Sequence, residues 1–193
     1  MDTFITDIER ALRAVGALLA SRGERTGIVV LGGAALNLLG VVDRATRDVD
    51  VVALAPKGRR SPLERPDPLP AALTAAVSRV ARDLALSPDW LNAVAGSQWD
   101  TGLPRGLRAR LHWRRYDGLD VGIVHRRDLI FFKLYASADA TGPASVHVQD
   151  LLALRPTDQE LHEAARWVRT QDPSPAIATA LVAVMAYVRR ARG

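Results

Sequence analysis

Two aspartates, Asp48 and Asp50, stand two residues apart inside the apolar run "DVDVVAL", and a glycine pair, Gly32-Gly33, marks the point where "GIVVL" gives way to "AALNLL". On a strand, residues i and i+2 face the same way, about 6.5 Å apart. Both carboxylates would then project from one face while Val49 and Val51 face the core. Two carboxylates that close repel each other unless a cation lies between them. Mg²⁺ suits the place, because it takes hard oxygen ligands and shares its coordination sphere with substrate phosphates. A solvated edge-strand face with two harmless acids is the plainer reading of the same pattern.

The glycines add a second kind of chemistry. Between a strand and a helix start, bare backbone N–H groups attract phosphate; the plainer reading is a tight turn that needs small residues. The stretch is neither a Walker loop, since no G-K-[ST] follows, nor G-x-G-x-x-G. A phosphate nest beside a Mg²⁺ pair has a nucleoside triphosphate as its common ligand.

The elements that must position these residues are legible from periodicity. Phe4, Ile8, Leu12, Val15, Leu18 and Leu19 predict an amphipathic opening helix over 3–20, followed by strands at 27–31 and 48–54 with a helix over 34–39 between them. Residues 56–70, with five prolines, read as an irregular loop, and 69–86 as a helix. Residues 87–104 read as a loop with a short helical turn, and 107–113 and 119–124 as the strands of a hairpin. Helices follow at roughly 127–139, 145–154, 158–170 and 173–191. The expectation is an α/β (α+β) core over residues 1–125 and a helical region over 126–193.

Composition narrows the classes. A chain of 193 residues, 48% hydrophobic, suffices for one core with a helical appendage. Without cysteine there are neither disulfides nor thiolate metal sites. The four histidines show no zinc-ligand spacing. The N-terminus opens on acids rather than a basic leader, and the longest uncharged run, 27–42, is too short for a membrane span, so the expectation is a cytoplasmic protein that does not enter membranes. The net charge of +5 suits a polyanionic partner, although 26 basic residues of which only Lys57 and Lys133 are lysine also fit a GC-rich genome.

The stretch "GGAALNLLGVVDRATRDVDVV" resembles the polymerase-β-type nucleotidyltransferase superfamily, and more narrowly its toxin branch with the AbiEii and MenT proteins. The matching positions are Gly32, Gly33, Ala35, Leu36, Gly40, Arg44, Thr46, Asp48 and Asp50; "SPDWLN" also resembles a segment of one subgroup. The resemblance is specific over 29–54, moderate over 119–155 and vague elsewhere. It implies a nucleotidyltransferase core with a small mixed sheet. It also implies a nucleotide held by Gly32, Gly33, Arg44 and Thr46, and Mg²⁺ on Asp48 and Asp50.

The same family supplies a third carboxylate from a later strand, for which "LDV" makes Asp120 the candidate and Asp117 the weaker one. Asp120 as a residue capping its own turn is the plainer reading. Toxin members carry a lysine on the next helix, here Lys133 in "DLIFFKLYAS", a compact ammonium for phosphate or else a snorkelling stem. An Asp ahead of an apolar helix follows, here Asp150, which would pair with Lys133, help position nucleotide, or only face solvent. Thr46 would bond a phosphate, serve as a modification point next to the acids, or make a local turn bond.

The implied function is transfer of nucleotides from NTP to the 3′ end of tRNA by the toxin of a toxin–antitoxin pair, with a cognate antitoxin as partner. Arg108, Arg110, Arg114 and Arg115 are expected near the acceptor path. The rivals are a nucleotidyltransferase that modifies a small molecule or protein, and a non-catalytic nucleotide-binding module.

Overall fold

The structure is a computed structural model that describes residues 7–44, 46, 48–139 and 145–192. Residues 3–6 of the expected opening helix lie outside the described residues. The chain divides into two compact units, one of residues 1–100 and 108–124, the other of 101–107 and 125–193.

The first unit is built on a five-stranded mixed sheet in the order β3-β2-β1-β5-β4. Its central strand, β1 (Thr26–Leu31), is buried along nearly its whole length, as a strand covered on both faces requires. β2 (Val49–Leu54) runs antiparallel to β1 and β5 (Leu119–Ile123) parallel to it. Between Val29 and Val30 the β1–β2 register shifts, so that Val52 is the extra residue of a bulge in β2. β4 (His112–Tyr116) closes the hairpin with β5 through a turn in which Asp117 takes φ 48, a left-handed position that Asp tolerates.

The helix α1 (Asp7–Ser21) buries Ile8, Ala11, Leu12, Val15 and Leu19, one stripe at three- and four-residue spacing. Gly16 on that stripe has no room for a Cβ, since the Tyr116 carbonyl lies against it; the Gly118 N–H in turn donates to the Gly16 carbonyl at 3.1 Å. The short α2 (Gly32–Leu38) leaves β1 directly, and α3 (Ala71–Asp83) packs with α1. Short helical turns follow at α4 (Gln98–Thr101) and α5 (Leu107–Arg110).

Two expectations are corrected. Residues 107–113 are not one strand: α5 ends at Arg110 and β4 starts at His112. The alternation of "LRARLHW" also fits a single helical turn that buries only Leu107. The expected loop over 87–104 contains β3 (Leu91–Asn92), parallel to β2. Trp90 anchors it, buried, with its indole N–H donating to the Val77 carbonyl at 3.3 Å and its own carbonyl accepting from Val49 N at 2.6 Å. A two-residue strand is too short to show a period.

The second unit is helical. α6 (Arg126–Asp139) packs against α7 (Val146–Ala153), α8 (Asp158–Gln171) and α9 (Pro175–Ala191). Each of the last three starts where its sequence says it should. Ser145 and Ser174 cap α7 and α9, and Thr157 with Glu160 forms a capping box on α8. Phe131, Phe132 and Tyr135 surround Trp167, with ring centroids 5.9, 5.3 and 6.3 Å away, so this half-buried tryptophan packs among aromatic rings. No helix among the described residues is long and apolar enough to cross a membrane.

Candidate active site

The end of β1 delivers the glycine pair. Gly32 takes φ +74, a conformation that side chains resist, and the carboxylate of Asp50 fills the place where its Cβ would stand. Gly33 is crowded in the same way from the other side. The Thr46 hydroxyl lies 2.7 Å and the Arg44 guanidinium 3.4 Å from the position of its missing Cβ. One close approach therefore brings together Gly32, Gly33, Arg44, Thr46 and Asp50. Register explains it: Leu31 pairs with Asp50 on β2, so the turn after Leu31 folds back over that carboxylate. Asp48, just ahead of β2, is exposed, and Asp50, its second residue, is half-buried.

Supports around this turn come from several elements. The α2 N-terminus has no side-chain cap, so no capping side chain takes its first N–H groups. Asn37 donates to the Arg44 carbonyl at 3.3 Å and closes the segment that follows α2. Arg114 donates to the Leu38 carbonyl at 2.6 Å and pairs with Glu9 at 3.3 Å, so it caps the C-terminal end of α2. Its guanidinium thus holds the end of α2. Asn92 pairs in register with Asp50 and was not anticipated as a neighbour of it. Its carboxamide is used locally, taking the Val94 N–H at 3.0 Å.

Asp120 stands elsewhere. It pairs in register with Gly27 at the start of β1, whereas Asp50 pairs with Leu31 at its end. The four-residue offset amounts to about 13 Å. Its buried carboxylate accepts from Arg115 Nε at 2.9 Å, and Arg25 Nε lies 3.8 Å from its other oxygen. The expectation that Asp120 joins Asp48 and Asp50 in a three-carboxylate set is therefore corrected. Because β5 runs parallel to β1, the stretch of that strand level with Leu31 is Val124, which donates to Val30, and no acid is there. Asp117 precedes β5 and lies farther off still. Among the described residues no group of three His, Cys, Asp or Glu could hold a metal.

In the helical unit, Lys133 and Asp150 meet. Lys133 Nζ lies 2.7 Å from Asp150 Oδ2, with the two side chains 8% and 2% exposed. Of the readings open for Asp150, pairing with Lys133 is the one the geometry contains. The lysine is a buried cation rather than a snorkelling stem.

The model of a family described as a nucleotidyltransferase of unknown function (DUF6036) matches residues 10–153. That span holds the glycine pair, Asp48, Asp50, Lys133 and Asp150. No curated protein and no solved structure matches the chain.

Proposed function

We propose, from the premise that this chain belongs to the nucleotidyltransferase family of unknown function DUF6036, that it transfers a nucleotidyl group from an NTP to an RNA 3′ end at the face carrying Gly32, Gly33, Asp48 and Asp50. The observation that carries the reading is the Asp50 carboxylate lying against Gly32. It makes an acid and a phosphate-type backbone turn immediate neighbours, as a metal-bridged triphosphate needs.

Asp48 and Asp50 fit Mg²⁺. Two residues apart, one exposed and one half-buried, they offer two hard-oxygen ligands, and Mg²⁺ is commonly bound by one or two carboxylates with water and substrate phosphates filling the rest. Bound there, it would neutralise the triphosphate and stabilise the leaving pyrophosphate. The chain's own groups do the positioning. The N–H groups that open α2 would donate to phosphate oxygens, and Arg44 and Thr46 place a guanidinium and a hydroxyl beside Gly33 for the same anion. The acceptor hydroxyl oxygen bonds to the α-phosphorus in line with the departing pyrophosphate, and its proton passes to solvent.

The resemblance of residues 29–54 to the toxin branch supports a finer reading. The acceptor is then the 3′ end of tRNA, added nucleotides block its charging, translation stops, and a cognate antitoxin restrains the protein. The test is incubation with total RNA, Mg²⁺ and each labelled NTP in turn, with and without EDTA. Label at tRNA length that EDTA abolishes is the expected result. Label on protein or on a small molecule would overturn the RNA acceptor, and nucleotide binding without transfer to any acceptor would overturn catalysis.

A further inference from the structure

A second concavity lies in the sheet unit, at the opposite end of β1 from the aspartate pair. It measures about 800 Å³ and is lined by Arg25, Lys57, Arg59, Arg60 and Arg115 around Asp120, with Pro56 its apolar contribution. Arg115 is neutralised by Asp120. Lys57, Arg59 and Arg60 are exposed, and their side chains carry no ion pair among the described residues.

The turn bearing these three cations is held in place. Gly58 takes φ +69 with the Asp120 carboxylate against its Cα, and its Cα is 3.3 Å from where a Cβ on Gly27 would stand. Buried Ser61 then locks the turn, donating to the Gly58 carbonyl at 2.9 Å and accepting from Lys57 N at 3.3 Å. Two glycines and a buried carboxylate thus seat a cationic turn directly on β1 and β5. Five cations around the one carboxylate leave the cleft with a net positive charge, which an anion would offset.

We propose that this cleft binds the phosphodiester backbone of single-stranded RNA, upstream of its reacting 3′ end. The proposal deepens the RNA-acceptor reading and rests on it. Asp120 is level with Gly27 and Asp50 with Leu31, positions of one parity on β1, so the two carboxylates share a face of the sheet, about 13 Å apart along the strands and about 10 Å across them, with β1 between. Val29, Ala53 and Val124, which lie between them on that face, are fully buried, so an RNA engaging both places would run around the covered face and not along it. The lining contains no aromatic or aliphatic anchor of the kind protein interfaces use, and no ring for a base to stack on. Contact is therefore with phosphates and independent of base sequence.

The test is fluorescence anisotropy of two short labelled RNAs of unrelated sequence, over a salt series without NTP or Mg²⁺. The variants are Lys57→Ser/Arg59→Ser/Arg60→Ser, all exposed positions, and Arg25→Ser as a second, independent change. The triple variant is expected to bind both RNAs at least about tenfold more weakly at low salt. Its slope of log affinity against log salt should be shallower by about 2, at roughly 0.7 per lost single-strand phosphate contact. Arg25→Ser should lose about one third of that. Superimposable slopes for wild type and both variants overturn the proposal. So does an acidic polypeptide whose binding the triple variant loses while RNA binding stays, which would make the cleft a protein site. Labelled-NTP transfer by the wild type reads the chemistry at the aspartates separately, so failure of one reading does not mask failure of the other.

Discussion

The carboxylate of Asp50 occupies the space that a side chain on Gly32 would fill. Gly40 offers an internal comparison, because it has a similar φ of +69 but nothing within 4 Å of its missing Cβ. Alanine at either position meets the left-handed strain of about 1 kcal/mol or somewhat more. Only at Gly32 must the Asp50 carboxylate, proposed above as a Mg²⁺ ligand, also move. Gly40→Ala is expected to lower thermal stability slightly and keep transfer activity, whereas Gly32→Ala should lose activity by about a hundredfold or more, an electrostatic-positioning loss of roughly 3 kcal/mol. Equal activity of the two purified variants would show that the apposition has no chemical role.

The aspartates themselves give a sharper test. Asp48→Asn and Asp50→Asn keep shape but not charge, and a neutral amide does not replace a carboxylate on Mg²⁺. Each variant should fold with an unchanged melting temperature, since Asp48 is exposed and Asp50 half-buried, and should lose transfer by several orders of magnitude. Isothermal titration of Mg²⁺–NTP into each variant should show weakened binding. Activity within tenfold of wild type at saturating Mg²⁺, for either one, would remove that residue from the metal site.

The fold class was legible because its signals are local. The stripe of α1, the buried run of β1 and the caps of α7, α8 and α9 each follow from a few neighbouring residues. What stayed hidden depends on register. A hydrophobic-acid-hydrophobic pattern places Asp120 on a strand but does not say which end of β1 it faces, and the parallel pairing sends it to Gly27. Arg114 and Arg115 look alike in sequence, yet one caps α2 and the other binds Asp120, because adjacent strand residues face opposite ways. The Gly32–Asp50 approach needed the β1–β2 register as well as the motif.

Glu160 allows a stability test that avoids the candidate site. Burial pushes its carboxyl up, but the Arg126 guanidinium and the Thr157 N–H outweigh it and hold its pKa below the usual range. Arg126 also donates to the Leu154 and Arg155 carbonyls, so the pair ties α6 to the chain before α8. A depressed carboxyl stabilises the fold above its unfolded value, about 4.3, and the contribution is lost as pH falls through the folded value. Glu160→Gln keeps a capping-box side chain and removes the charge. The variant should be about 1 kcal/mol less stable at pH 7, with the gap closing below roughly pH 4. Urea melts at both pH values check this; a gap that does not change with pH would mean that the ion pair contributes nothing.

The buried Lys133–Asp150 pair separates structure from chemistry. Removing Lys133 takes the paired cation away from a buried carboxylate, at a cost of about 3–5 kcal/mol. Lys133→Met is therefore expected to be unstable for reasons unrelated to nucleotide, and its inactivity alone would say nothing. Replacing both groups, as in Lys133→Met/Asp150→Leu, removes that carboxylate as well and should recover most of the lost stability, because buried ion pairs are often matched by apolar residues of similar size. If the ammonium contacts triphosphate, as the resemblance to the toxin branch implies, this double variant should melt near the wild-type temperature. It should also bind Mg²⁺–NTP at least about tenfold more weakly, the 1.4 kcal/mol that one charge-assisted contact supplies. Calorimetric melting and NTP titration on the same sample give both readings. A double variant that is folded and binds NTP like the wild type would leave Lys133 as a core ion pair with no part in nucleotide binding.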